Sequence, residues 1–485
     1  MLCLVNILGQ SLYDNTWTIG ITNSITTINW QKGAEIKYNE NSQAYMRLSI
    51  SSANDAKGNF LFYTQGCAIL GKDYKILPNG KQINPGEQHD NGCGAGSTGG
   101  EVLYNVGIFL PKPKDTTLYY LFHTPRGDKY ANTIAFPPDK LYYTVIDASK
   151  EVNGDVVKKN VLIIKDTLSF QGPRACKHAN GQDWWIVIPE FETHGYYSVL
   201  LTKDSVVYVK RKVFSSDFGR ELGDRAGQTV FSPDGSKYIR SDPFNGTYIY
   251  DFDRCSGELS KPIFIDTLGT YACAGVAVSP NSKYLYLSNR NVLHQFDLQA
   301  NNIAQSKIKI ADYDGQQTSF GSSYSFYKMA LAPNGKIYMA TTNTTDALHT
   351  IHSPNEKGIA CDFKQHDFPL PDYNYVTMTN FPNFNLGVQS GTPCAPLITN
   401  HDVQETNLNI SILPNPSDDV FEINANFDIK KIIITDVNGE VVKKISVNNE
   451  KNVNLEVYSF KNGLYFISIF DCNGKMMTKK ITVIH

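Results

Sequence analysis

Apolar and polar positions alternate with period two over most of the chain, in runs of four to eight residues broken by Pro, Asn, Asp and Gly. That spacing predicts strands joined by tight turns rather than helices, whose apolar positions recur every three to four residues. One unit recurs: an apolar strand, a Pro/Asn/Asp/Gly turn, then a tyrosine-rich strand. It reads TVFSPDGSKYIRSD from Thr229, VAVSPNSKYLYLSN from Val276, MALAPNGKIYMATT from Met329 and, more loosely, VGIFLPKPKDTTLYYLFHT from Val106. The turn prolines Pro233, Pro280 and Pro333 lie 47 and 53 residues apart, a period that suits four-stranded propeller blades. Proline presets one corner of each turn and the Asn/Asp-Gly pair supplies its left-handed residue.

Two weaker copies, the turn at 52–58 before Asn59–Thr64 and Asn180-Gly181-Gln182 before Asp183–Ile188, bring the number to six. Extended pieces remain at Thr16–Gly20 and at Tyr375–Thr379 with the FPNFNLG stretch 381–387. Propellers close by completing one blade from both ends of the chain, which removes a sheet edge. The expected fold is therefore all-β: a seven-bladed β-propeller over 11–390, with six blades as the alternative. A polar linker would cover 391–409, and period-two alternation over 410–485 predicts a small immunoglobulin-like β-sandwich.

Composition narrows the functional classes. The 45 Lys+Arg nearly balance 47 Asp+Glu, too weak a field for a nucleic-acid partner, and no transmembrane segment is expected because no apolar run reaches the roughly 18 residues of a membrane helix. Residues 1–10 have a short apolar stretch without a basic lead, read as the end of a signal peptide; a first strand is the alternative. The nine cysteines contain no CxxC and no zinc spacing, so bridges are expected instead, with Cys67 near Cys93, Cys255 near Cys273, and Cys361 and Cys394 bracketing the end of the main domain.

Within 410–485, LPNP at Leu413, Pro414, Asn415 and Pro416, DVNGEVV at 436–442 around Gly439, NGLYFISI at 462–469 with Gly463 and Tyr465, and the closing Lys479-Lys480-Ile481 occur in order. This segment resembles the type A C-terminal sorting domain of type IX secretion substrates of Bacteroidota. The resemblance implies signal-peptide-dependent export, recognition by an outer-membrane translocon, cleavage in the linker by a cell-surface sortase, and then release or attachment to surface lipopolysaccharide. The turns of the propeller region also resemble those of other type IX substrates, a looser likeness that implies a Cys255–Cys273 bridge and no activity.

Catalytic motifs are scarce. Gly94–Gly99 matches GxGxxG but is followed by a strand, not the helix a dinucleotide site needs. The pairs Asp251/Asp253 and Asp312/Asp314 lack the rest of a calcium loop and read as turn acids. His349 and His352, three apart on a strand, face opposite sides and read as surface or packing residues. A propeller's usual ligand site is its axial funnel, to which repeat alignment assigns Arg174, Lys177, Arg225, Gln228, Lys328 and Asn380. This basic, amide-rich set suits binding of a glycan or protein, with no catalytic residue, metal or cofactor expected. The alternative is a polysaccharide lyase or hydrolase using funnel residues.

Overall fold

The structure, a computed structural model, describes residues 11–43, 45, 46, 48–93, 105, 107–127, 136–191, 193–214, 227–266, 274–394, 410–436, 440–471 and 476–485. The signal-like segment 1–10, the GxGxxG loop, Arg225, Cys273, Gly439 and nearly all of the linker lie outside these residues. The chain divides into two compact units, 1–397 and 398–485.

Unit one is strand throughout apart from a short helix, Glu87–Cys93, and two 3-10 turns among the described residues. Its strands form seven sheets in chain order, the first of three strands and the other six of four, every pair antiparallel. The six repeats of the sequence each begin one of the four-stranded sheets, with first strands Ser51–Asn54, Gly107–Pro111, Arg174–Lys177, Gln228–Phe231, Ala274–Val278 and Phe326–Leu331. Each first strand turns into the second through a residue in the left-handed region, Gly58, Lys114, Gly181, Gly235, Ser282 or Gly335. Five of these turns close the same way, Gly58 N–H on Asp55 O (3.0 Å), Gly181 N–H on His178 O (2.9 Å), Gly235 N–H on Ser232 O (2.8 Å), Ser282 N–H on Ser279 O (2.8 Å) and Gly335 N–H on Ala332 O (2.9 Å).

The strand alternation explains the ring. Tyr238 packs toward the fourth sheet with Trp185, Val187 and Tyr196, while its neighbour Ile239 packs toward the sixth with Val276, Leu285 and Leu287. Both faces of the strand are therefore core. An apolar cluster of this kind fills each interval between consecutive sheets, and the last, Trp17, Ile19, Ile28 and Trp30 with Tyr338, Leu348 and Leu370, joins the seventh sheet back to the first. At roughly 25 cal/mol per Å² of apolar surface, such burial is available only to neighbours, so no sheet is stable alone. Unit one is a β-propeller.

Near the axis the first strands converge. A Cβ built on Gly275 would meet Tyr327 O at 2.0 Å, so only glycine allows these two strands their separation. Past the seventh sheet the chain doubles back across the ring. Thr377 Oγ1 accepts from Gly20 N–H in the first sheet (3.0 Å), Asn380 Nδ2 donates to Gly107 O (3.2 Å) and Pro173 O (3.1 Å) in the third and before the fourth, and Asn383 Nδ2 donates to Pro233 O (2.7 Å) in the fifth. Residues 376–389 are thus a strap across one mouth of the axial channel. The pattern of the chain places this stretch in the completion of a blade, but the first sheet keeps three strands and none of them comes from it.

The strap also corrects the cysteine pairing. Cys67–Cys93 is bonded, but Cys255 bonds Cys394, not Cys273. Arg254 Nη2 donates to Gly387 O (2.6 Å) and Gln389 N–H to Ala179 O (2.8 Å), which returns the strap to the turn holding Cys255. Cys361 is a free, fully buried thiol packed between the sixth and seventh sheets, so it takes no part in a bridge. Cys176 is also free and buried, and burial pushes its thiol up to about 12, leaving no thiolate at neutral pH.

Among the described residues unit two is one five-stranded sheet, and two of its strands, Val420–Thr435 and Val441–Glu456, are 16 residues long. The first half of Val420–Thr435 pairs with Ile410–Leu413 and its second half with Gly463–Asp471, the register breaking between Asn424 and Ile429. One bent strand therefore serves two partners on one edge, and Phe421, Ile423, Ile432, Ile434, Leu455, Ile467 and Ile481 meet in a common core.

Candidate functional site

The axial channel holds a cavity of about 300 Å³, with Arg174, Gln228 and Asn380 on its walls beside Asp14 and the turn prolines Pro233, Pro280 and Pro333. Three of the funnel residues expected from sequence are thus brought together. Lys177 and Lys328 do not line it, and Arg225 falls outside the described residues.

The hydrogen bonds of these residues are directed into the protein. Gln228, 2% exposed, accepts at Oε1 from Val276 N–H (3.0 Å) and Met329 N–H (3.0 Å) and donates from Nε2 to Met329 O (2.6 Å). One side chain so ties the first strands of the fifth, sixth and seventh sheets, whose axial edges have no further strand to pair with. The buried Arg174 guanidinium donates from Nη1 to Asn380 Oδ1 and from Nε to Thr229 Oγ1 (3.4 Å), and burial lowers its pKa to about 10. Asn380 holds the strap, as described above. Lys177 lies over the Trp184 ring at 3.9 Å and donates to Gln182 O (3.2 Å); burial lowers it to about 8, against the attraction of Asp183. Lys328 donates to Leu48 O (3.3 Å). Sequence found polar residues at the right place, but much of what they do is satisfy strand ends and the strap.

Asp14 is the carboxylate on the cavity wall. Burial raises its pKa to about 6, opposed by a backbone hydrogen bond. The other polar candidates are accounted for locally. Asp251 pairs with Lys237 and Lys261, Asp253 accepts from Cys255 N–H (2.8 Å) and Ser256 (2.8 Å), Asp312 pairs with Lys309 (2.8 Å) and Asp314 with His366 (2.8 Å). Among the described residues no cluster of His, Cys, Asp and Glu is arranged to hold a metal.

His349 is buried and accepts the His366 N–H at Nδ1 (3.0 Å), a packing role as expected. His352 is different. Its Nε2 lies 2.6 Å from Asp367 Oδ2 and its Nδ1 3.0 Å from Lys336 Nζ. Sequence reading missed this group because its members lie on three successive strands or their ends. The register Ile337↔Ile351, continued one residue outward, sets Lys336 opposite His352.

In unit two, Asn415 donates from Nδ2 to Lys480 O (3.0 Å) and accepts Thr482 N–H (2.9 Å), clamping the LPNP segment of Leu413, Pro414 and Pro416 to the last strand. Lys479 and Lys480 are exposed on that strand, at the end of the hydrogen-bonded order. Tyr465 packs on Phe460 (5.2 Å) and donates to Lys461 O (2.8 Å) in the turn before Gly463.

A ring of antiparallel sheets followed by a separate small β module defines the class of protein. Residues 411–484 match the family described as secretion system C-terminal sorting domain. The chain is a type IX secretion substrate, a β-propeller exported to the cell surface or extracellular space. In keeping with that address it carries disulfides, and no helix among the described residues is long and apolar enough to cross a membrane. No curated protein matches the chain. Similar solved structures include a protein from Lactobacillus plantarum (11% identity, TM-score 0.44, 75% of this chain and 98% of that one), one of unknown function from Desulfotomaculum acetoxidans (12%, 0.41, 74% and 98%) and a periplasmic gluconolactonase from Pseudomonas aeruginosa (14%, 0.36, 62% and 78%).

Proposed function

We propose that the exported propeller is a binding module, acting on a glycan or protein at the cell surface rather than catalysing a reaction. One observation carries this: Arg174 and Gln228, the polar side chains best placed at the axis, spend their hydrogen bonds on Asn380, Thr229 and strand edges, and among the described residues Asp14 has no histidine or second carboxylate beside it on the cavity wall. General acid–base chemistry on a polysaccharide needs two such groups in reach of one bond. The translocon and sortase would act on the tail, and lipopolysaccharide attachment or release would decide where the module works.

The test is a glycan array and surface-protein pull-down with the purified full chain, each followed by assay for reducing ends. Retention without turnover is the expected result; saccharide cleavage that survives Arg174→Lys but is lost in Asp14→Asn would overturn it in favour of an enzyme. A chain lacking 411–485 should accumulate as folded propeller in the periplasm, and its appearance on the surface would contradict the role of the tail.

A further inference from the structure

A groove of about 340 Å³ opens between the seventh sheet and the first. One wall is the chain Lys336–His352–Asp367. A lysine ammonium can only donate, so His352 Nδ1 accepts, which leaves Nε2–H to donate to Asp367. The imidazole is consumed on both nitrogens. The outer members retain capacity: Lys336 has two further N–H donors, and Asp367 has a second carboxylate oxygen. The His352 and Asp367 side chains are 28% and 29% exposed.

The floor is aromatic. Phe368 is partly exposed and is backed by Tyr338 (5.0 Å between centroids) and Trp30 (5.9 Å), which are themselves 4.6 Å apart and buried. Packing fixes the Phe368 ring, so a ligand laid on it meets a preorganised face. The groove's size is at the low end of small-ligand sites, roughly 300–1,000 Å³.

We propose that this groove binds one neutral hexose unit of a glycan, a reading that deepens the binding role above and rests on it. One cation and one carboxylate joined through an imidazole leave no excess charge to attract an anion. They do place a donor and an acceptor on one wall, the complement of a vicinal diol, whose hydroxyls accept from the ammonium and donate to the carboxylate. The apolar face of the sugar ring then covers Phe368. A metal is disfavoured because both imidazole nitrogens are already engaged.

The experiment is calorimetric titration of the full chain with neutral hexose oligosaccharides and, in a second arm, an oligouronate. The variants are Lys336→Ala and Asp367→Ala, checked for unchanged Tm because both side chains are at the surface. Binding of a neutral oligosaccharide that weakens at least tenfold in each variant is the expected result. Binding unaltered in both variants overturns the groove while leaving a binding module intact; preference for the oligouronate overturns the neutral-sugar assignment; and absence of any neutral-saccharide binding overturns the inference outright. The binding role itself fails only when array and pull-down are empty as well.

Discussion

Replacing Gln228 by alanine separates a ligand residue from a rivet. The substitution leaves Val276 N–H, Met329 N–H and Met329 C=O without the partners they have at 3.0, 3.0 and 2.6 Å. Each orphaned buried group costs about 1–3 kcal/mol, and water entering from the adjoining cavity keeps the sum near the low end, about 3 kcal/mol. Unfolding entropy is about 2.1 cal/mol/K per residue, so for a unit of this size the loss lowers Tm by roughly 4 °C. Gln228→Met, which keeps the volume and loses all three bonds, should fall by a similar amount. The chain's four tryptophans, Trp17, Trp30, Trp184 and Trp185, all belong to the propeller, so tryptophan fluorescence follows its unfolding without interference from the tail. A Tm within 1 °C of the parent for both variants would refute the reasoning and return Gln228 to the ligand site.

Opening the Cys255–Cys394 bridge with Cys394→Ser should cost more than opening Cys67–Cys93 with Cys93→Ser. The sequence separations of 139 and 26 residues correspond to about 5 and about 3.5 kcal/mol in the chain-entropy model, and urea unfolding should rank them so. Asp14 has a folded pKa of about 6 against an ordinary 3.8, so the folded state binds the extra proton; stability is greatest below pH 3.8 and is lost as pH rises to about 6. Asp14→Asn should therefore stabilise the fold at pH 7 by on the order of 1–3 kcal/mol, read as a raised Tm, and change it little at pH 3.5. His123 behaves oppositely: burial drives its pKa down to about 3, so the fold loses stability as pH falls below 6.5, and His123→Gln should flatten that acid limb in a pH–Tm series. Gly275→Ala forces a Cβ against Tyr327 O and should cost more than 2 kcal/mol by thermal melt, where an ordinary surface Gly→Ala is neutral.

The repeats were legible because their information is local. A left-handed residue must follow the turn proline within two positions, and the Pro-Asp-Gly-Ser and Pro-Asn-Gly-Lys texts state this directly; Ser282, in the same conformation at φ 58°, shows that the turn geometry persists where glycine is missing. The Cys255–Cys394 bond was not legible, since short separation favoured Cys273 and only the strap's path brings residue 394 to the turn at 255. Nor was the bend between Asn424 and Ile429, where a single long strand changes partners and period-two alternation reads as two short strands.

The axial residues illustrate a more general ambiguity. Placing Arg, Gln and Asn at the entry of inner strands looks like a ligand ring, because ligand sites and unpaired strand edges demand the same donors and acceptors. Distances separate the two cases. At the axis the partners of Gln228 and Asn380 are backbone groups of neighbouring sheets, and the strap supplies Asn380 from 206 residues away to meet Arg174. A ring closed in this way commits its central polar groups to holding sheets together. Recognition then falls to side chains whose hydrogen-bonding capacity is incompletely used, and at the rim between the seventh sheet and the first, Lys336 and Asp367 keep donors and acceptors that their single link through His352 does not exhaust.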